Sequence, residues 1–168
     1  MRTPLLLAFL LFTPAAFTVD NGGKPTRAVL REAELRFDNL IQKQWPEDPN
    51  ILLGTSRAIY IEGYGVVMTA EVNLVTGPTV SPFNPNISKE SIARHRDTKL
   101  QRLPKLKELV KTGAATARTW FPEVADNDNL VVGVTLLKYS WEDPAGLPSQ
   151  LIATTQRKKD AAVKLQEN

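Results

Sequence analysis

The sequence predicts an α+β domain of two layers: a roughly four-stranded, largely antiparallel sheet of two hairpins, with helices packed on one face. Three observations predict it. Leu30, Ala33, Phe37, Leu40, Ile41 and Trp45 recur at the spacing of one helical face. Residues 66–74 alternate strictly, with Val66, Met68, Ala70, Val72 and Leu74 on one side and Val67, Thr69, Glu71 and Asn73 on the other. A long, charge-rich helical pattern from Ser88 to Gly113 then separates this strand from a second stretch of strand character.

Residues 1–18 have the layout of a secretory signal peptide. Met1-Arg2 is a positive start, residues 5–12 are an unbroken apolar run, and residues 13–18 supply a helix breaker and small side chains. The uncharged stretch 3–19 is 17 residues long and contains Pro4 and Pro14. A permanent membrane anchor needs about 20 apolar residues. Cleavage after Ala16 or Thr18 is therefore expected, giving a periplasmic or extracellular protein. An uncleaved segment would instead make the chain a membrane-tethered accessory protein. Residues 19–26 are polar and read as a flexible leader, and residues 27–168 as a single domain.

Within that domain a helix is expected over residues 27–45, stopped by Pro46 because the residue before a proline avoids the α region. Residues 57–61 and 66–74 read as an antiparallel hairpin around Glu62-Gly63-Tyr64-Gly65. Gly77, Pro78, Pro82 and Pro85 make residues 76–88 a loop. Ser88 is a good N-cap for the long helix, in which Pro104 predicts a kink or two abutting helices. A short helical piece over 114–121 and a turn at 126–129 lead to a strand over 130–139, apolar on both sides as a central strand would be. A loop and a strand over 150–155 complete the second hairpin, and the polar tail from Gln156 reads as a short, fraying helix.

The chain has no cysteine, so disulfides and thiolate chemistry are excluded. Its 21 basic and 18 acidic residues leave a net charge of +3, too small to demand a polyanionic partner. The charge is concentrated, however. Residues 89–111 hold eight bases against Glu90, Asp97 and Glu108, a local +5. Lys99, Arg102 and Lys107 of this helix, with Tyr64 at the hairpin tip, are the expected contact surface for an envelope protein or an anionic envelope surface. Nucleic acid is not expected outside the cytoplasm. Arg96 projects into the apolar arc between Ile92, Leu100 and Leu103, where a charge needs a partner, and Glu71 or Glu62 on the hairpin could supply one.

Motifs for catalysis are weak. His95 is the single histidine, too few for a zinc site, and no Gly-x-Ser-x-Gly elbow accompanies it, so it reads as a helix-surface residue. Asp126-Asn127-Asp128-Asn129 starts like a calcium loop, but Leu130 and Val131 end the likeness. Gly63-Tyr64-Gly65 precedes a strand instead of a helix, which excludes a dinucleotide fingerprint. Trp45, Trp120 and Trp141 each border an apolar segment and read as core or core-edge residues. No cofactor or metal is expected.

The segment 58–68, with its Tyr-x-x-Gly-Tyr-Gly-Val-Val pattern over residues 60–67, resembles a segment of uncharacterised exported bacterial proteins. The resemblance implies export, a long polar helix and later strands; it implies no activity and no catalytic residue. Taken together, the sequence points to an exported, non-enzymatic binding module. The alternative is an enzyme whose site no local motif reveals, placed near the proline-rich loop.

Overall fold

The computed structural model describes residues 23–78 and 86–168; the signal-peptide reading and the centre of the proline-rich loop lie outside them. Helix α1 (Arg27–Gln42) is followed by β1 (Ile51–Leu52), β2 (Arg57–Ile61) and β3 (Gly65–Asn73). Helix α2 (Lys89–Trp120) then leads to β4 (Asn129–Leu136), β5 (Gln150–Gln156) and β6 (Lys164–Glu167). The class is α+β, as the periodicities predict. The sheet differs from the expected one: it has six strands and is mixed, in the order β1-β3-β4-β5-β6, with β2 also against β3.

Both expected hairpins are present, β2–β3 and β4–β5. They are joined side by side through a parallel pair, β3 with β4, running from Gly65↔Asn129 to Val72↔Leu136. A parallel pair needs a long crossover, and α2 is that crossover. The strands β1 and β2 lie on the same side of β3, one against its end and one against its beginning, so they form a single interrupted edge. The tail is a strand and not the expected helix. Leu165 pairs with Ala153 and packs on the core, which lets a mostly polar segment serve as an edge.

Both helices cover one face. Phe37 and Ile41 of α1, Leu106, Val110 and Ala114 of α2, and Val66, Met68, Val72, Leu130, Val132, Val134 and Leu151 of the sheet form the core. The small residues Gly113 and Ala114 let α2 approach α1: a Cβ at Gly113 would lie 2.9 Å from the Phe37 ring. Thr26 caps α1, its Oγ1 accepting from the Val29 N–H. Just before it, Pro25 is buried and Lys24 pairs with Glu62 at 2.9 Å. Helix α2 is continuous for 32 residues with Pro104 inside, so of the two expected arrangements, a kink or two abutting helices, the second does not occur. Pro104 stands on the exposed side, where no packed neighbour has to accommodate the ring and the missing hydrogen bond.

Two carboxylates anchor α1 to the edge of the sheet. Glu34 is fully buried and accepts from the Ala58 N–H at 2.9 Å; Asp38, one turn on, accepts from the Ser56 N–H at 2.9 Å. Arg27 clasps Glu34 with both terminal guanidinium nitrogens, and Arg31 adds a third contact. Burial alone would raise the Glu34 pKa; the Ala58 N–H and the two arginines outweigh it and hold the carboxyl below its usual range.

Gly63-Tyr64-Gly65 has a geometric explanation. Gly63, at φ 75°, is the third residue of a hydrogen-bonded turn closed from Tyr64 N to Ile61 O at 3.0 Å. Gly65, at φ 126°, lies against the start of β4, and a Cβ there would fall 2.1 Å from the Asn129 carbonyl oxygen. Gly65→Ala is therefore expected to destabilise the fold by more than about 3 kcal/mol. Gly63→Ala meets no atom within 4 Å, and is expected to lose only about 1–2 kcal/mol. Urea titration of the two variants checks the contrast.

Candidate functional site

Extending the buried stripe Leu103, Leu106, Val110, Ala114 and Ala117 of α2 back in steps of three or four residues reaches Lys99 and His95. Both are buried. At about 1.5 Å per residue α2 is about 48 Å long, against about 30 Å for β3, so the helix outruns the sheet. The overhang is covered by the segment 137–149, which leaves β4 after Leu137 has bonded Val72 O at 2.9 Å. That segment brings Tyr139, Trp141, Glu142 and Asp143 onto α2.

The centre of the cluster is an ion pair between Lys99 and Glu142, whose side chains are 1% and 3% exposed. The ammonium donates to Glu142 Oε1 at 2.8 Å, to Oε2 at 2.7 Å and to the Leu137 carbonyl at 2.9 Å. Three donors meet three acceptors, so Lys99 is fully satisfied. His95 Nε2 lies 3.0 Å from Glu142 Oε1; since a carboxylate only accepts, Nε2 carries the proton. Burial is the main force depressing the His95 pKa, opposed by Glu142 and reinforced by the Lys99 charge, so the ring is held neutral. Trp141 stacks on Tyr139 with centroids 5.2 Å apart and meets the His95 ring edge-on at 5.0 Å. The Tyr139 hydroxyl accepts from Asn73 Nδ2 at 2.9 Å. A Cβ at Gly77 would come within 2.8 Å of Trp141, so the chain leaving β3 closes over this aromatic pair.

This arrangement corrects several sequence expectations. His95 is a buried residue, not a surface one. Lys99 is enclosed and cannot belong to a contact surface. Arg102 is 10% exposed in its side chain: it bonds Leu74 O at 2.8 Å, pairs with Asp48 and lies over the Trp45 ring. Lys107 ties α2 to β6 through Glu167 at 2.7 Å. The local +5 of the helix is thus largely matched within the molecule. Arg96 does take a carboxylate partner, but it is Asp143 at 2.6 Å and not Glu71. Glu71 lies on the sheet face turned away from the helices, out of reach, and Glu62 pairs with Lys24. Tyr64 stands exposed at the hairpin tip.

The cluster is a clamp. Its charges are satisfied by one another, and no lone pair of Lys99 is free to act as a base or nucleophile. Among the described residues no group of three or more His, Cys, Asp or Glu could hold a metal ion. No helix among them is long and apolar enough to cross a membrane.

The exposed apolar side chains lie elsewhere. Ile51, Leu53, Ile59, Ile61 and Tyr64, all on the interrupted edge and its turn, make up five of the six large hydrophobic residues exposed among those described; Leu35 is the sixth. The four aliphatic side chains among them share the sheet face that no helix covers. A hollow of about 360 Å³ on that face is lined by Leu53, Arg57, Thr69, Glu71 and Thr135. A polar hollow of about 440 Å³ near the β5–β6 connection is lined by residues including Asn129, Gln156, Lys158, Asp160 and Lys164. Comparison of the chain with protein-family models, curated proteins and solved structures finds no match.

Breaking the buried pair leaves a charge without a counter-ion. Lys99→Met is expected to destabilise the protein by about 3–5 kcal/mol, and adding Glu142→Leu to recover most of that loss; a double-mutant cycle by urea unfolding measures it. The depressed His95 pKa gives a second expectation. The unfolded ring, titrating near its ordinary pKa of about 6.5, binds a proton before the folded one does. Its contribution is complete above that pH and is lost as the pH falls through the lower folded pKa. Unfolding free energies measured from pH 7 to pH 5 are expected to fall less steeply in His95→Gln than in the unaltered protein.

Proposed function

We propose that the chain is an exported binding protein that contacts a protein partner through its uncovered sheet face and the adjoining hairpin tip. The observation that carries this reading is the clustering of Ile51, Leu53, Ile59, Ile61 and Tyr64, which remain in water while the bases of α2 are engaged internally. Exposed apolar side chains gathered along one edge, here with Arg57 among them, mark an interaction site. The exported location rests on residues 1–18 and on no other feature.

The test is a crosslinking pull-down of the tagged protein in its native compartment. A stoichiometric protein partner crosslinked to residues 51–64 is expected, and it is expected to be lost in Ile59→Lys/Ile61→Lys with the melting temperature unchanged. Crosslinks confined to α2, or a partner indifferent to these substitutions, would overturn the reading. The intact mass of the same material is expected to start at Phe17 or Val19. A chain retaining Met1 in the membrane fraction would support the tethered alternative.

A further inference from the structure

We infer that the partner seated on the uncovered sheet face is a second copy of this chain, the two sheets packing face to face. The inference rests on the reading that this face binds a protein, and it names that protein.

Three observations carry it. The first is topological. All-parallel sheets are covered on both faces by their crossovers, and this mixed sheet has a single crossover, on one face. The central pair β3–β4 is parallel, yet α1 and α2 cover only one of its faces. On the other face a cross-strand row runs Ile59, Val67, Val131, with Ile152 diagonally beyond. Val67, Val131 and Ile152 are half-buried and Ile59 is 55% exposed. This is an inner-face pattern without its second layer.

The second is size. Five strand positions at about 4.8 Å and a length of about 30 Å along β3 describe a face of about 600–700 Å² before side-chain relief is counted. A stable complex of standard size buries about 800 Å² per partner. With the standard range running from about 600 to 1,000 Å² per partner, the whole face meets the lower end of what one such contact needs.

The third is self-complementarity. Ile51 is level with Asn73, Leu53 with Glu71, Arg57 with Thr69 and Ile59 with Val67. A two-fold axis lying in the contact plane, across the strands and between the Thr69 and Glu71 positions, reverses the order along each strand. It sets Ile51 of one copy on Ile59 of the other. It also sets Arg57 on Leu53 of the second copy, one strand spacing, about 4.8 Å, from that copy's Glu71. Each copy contributes one base and one acid, so the contact forms two equivalent ion pairs and stacks no like charges. An isologous contact requires this.

Sedimentation equilibrium of the full chain over a range of concentrations tests the inference. The expected result is a monomer–dimer equilibrium. Ile59→Lys, at an exposed position, is expected to raise the dimer dissociation constant about tenfold or more with an unchanged far-UV spectrum and melting temperature. Arg57→Glu and Glu71→Arg should each weaken the dimer, and the double exchange in one chain should restore it, which a purely structural role of either residue would not do. A dimer indifferent to all four variants would place self-association elsewhere and overturn the inference. A monomer at every concentration would also overturn it. If the native pull-down of that monomer still captures a different protein, lost in Ile59→Lys/Ile61→Lys, the binding-module reading stands without the second copy; if it captures none, both fall.

Discussion

The fold depends on one close approach. Two hairpins, each with its own turn, become one sheet only because β4 begins against the turn of the first hairpin. Asn129 donates its backbone N–H to Tyr64 O at 2.8 Å and its side-chain amide to the same oxygen at 3.0 Å. Gly65 makes room for that meeting by having no side chain. From there the parallel register follows residue by residue to Val72 and Leu136, and with it the alignment of Val66, Met68, Val132 and Val134 under α2. The direction of α2 follows too, since it has to return the chain to the same end of the sheet.

Buried charge is the second organising element, and it acts at two separate places. Glu34 fixes α1 to the β1–β2 edge, and Glu142 fixes the segment 137–149 to α2. Each is surrounded by donors: a backbone N–H and two arginines in one case, a lysine and a histidine in the other. Neither helps stability in proportion to its contacts, because desolvating the ions offsets most of the Coulomb gain. Their effect is on geometry. A carboxylate that accepts from one particular N–H fixes a helix to a strand at one height, which apolar contacts alone do less sharply.

The sequence was legible where periodicity is strong and contacts are local. Helix α1, the β2–β3 hairpin, β5 and the turn at 126–129 follow from spacing, proline and glycine. Pairing between distant segments left no local trace: nothing in residues 66–74 or 130–139 distinguishes a parallel neighbour from an antiparallel one. Strand β1 has two residues and β6 four polar-rich ones, too short to show a period of two. Helix α2 differs from its expectation for another reason. Charges on an amphipathic helix usually face outward, so Lys99 and His95 read as surface residues, although the three-and-four spacing of Leu103, Leu106 and Val110 points back through both. Their partner, Glu142, is 43 residues from Lys99 and so invisible to helical spacing.

The two rims of the sheet are chemically unequal. On the β2 rim, the outward donors of Ala58 and Ser56 are already taken by Glu34 and Asp38, and the Ala58 carbonyl receives Arg27 at 3.3 Å. A stray extended chain arriving there finds these main-chain groups already engaged. On the opposite rim, β6 pairs with β5 alone. Growth of the sheet by strand addition is less hindered there by engaged main-chain groups, but it meets Lys164 and Glu167, charged residues of the kind that discourage uninvited pairing. A protein that leaves apolar side chains in water on one face has thus kept its backbone guarded at the edge nearest to them.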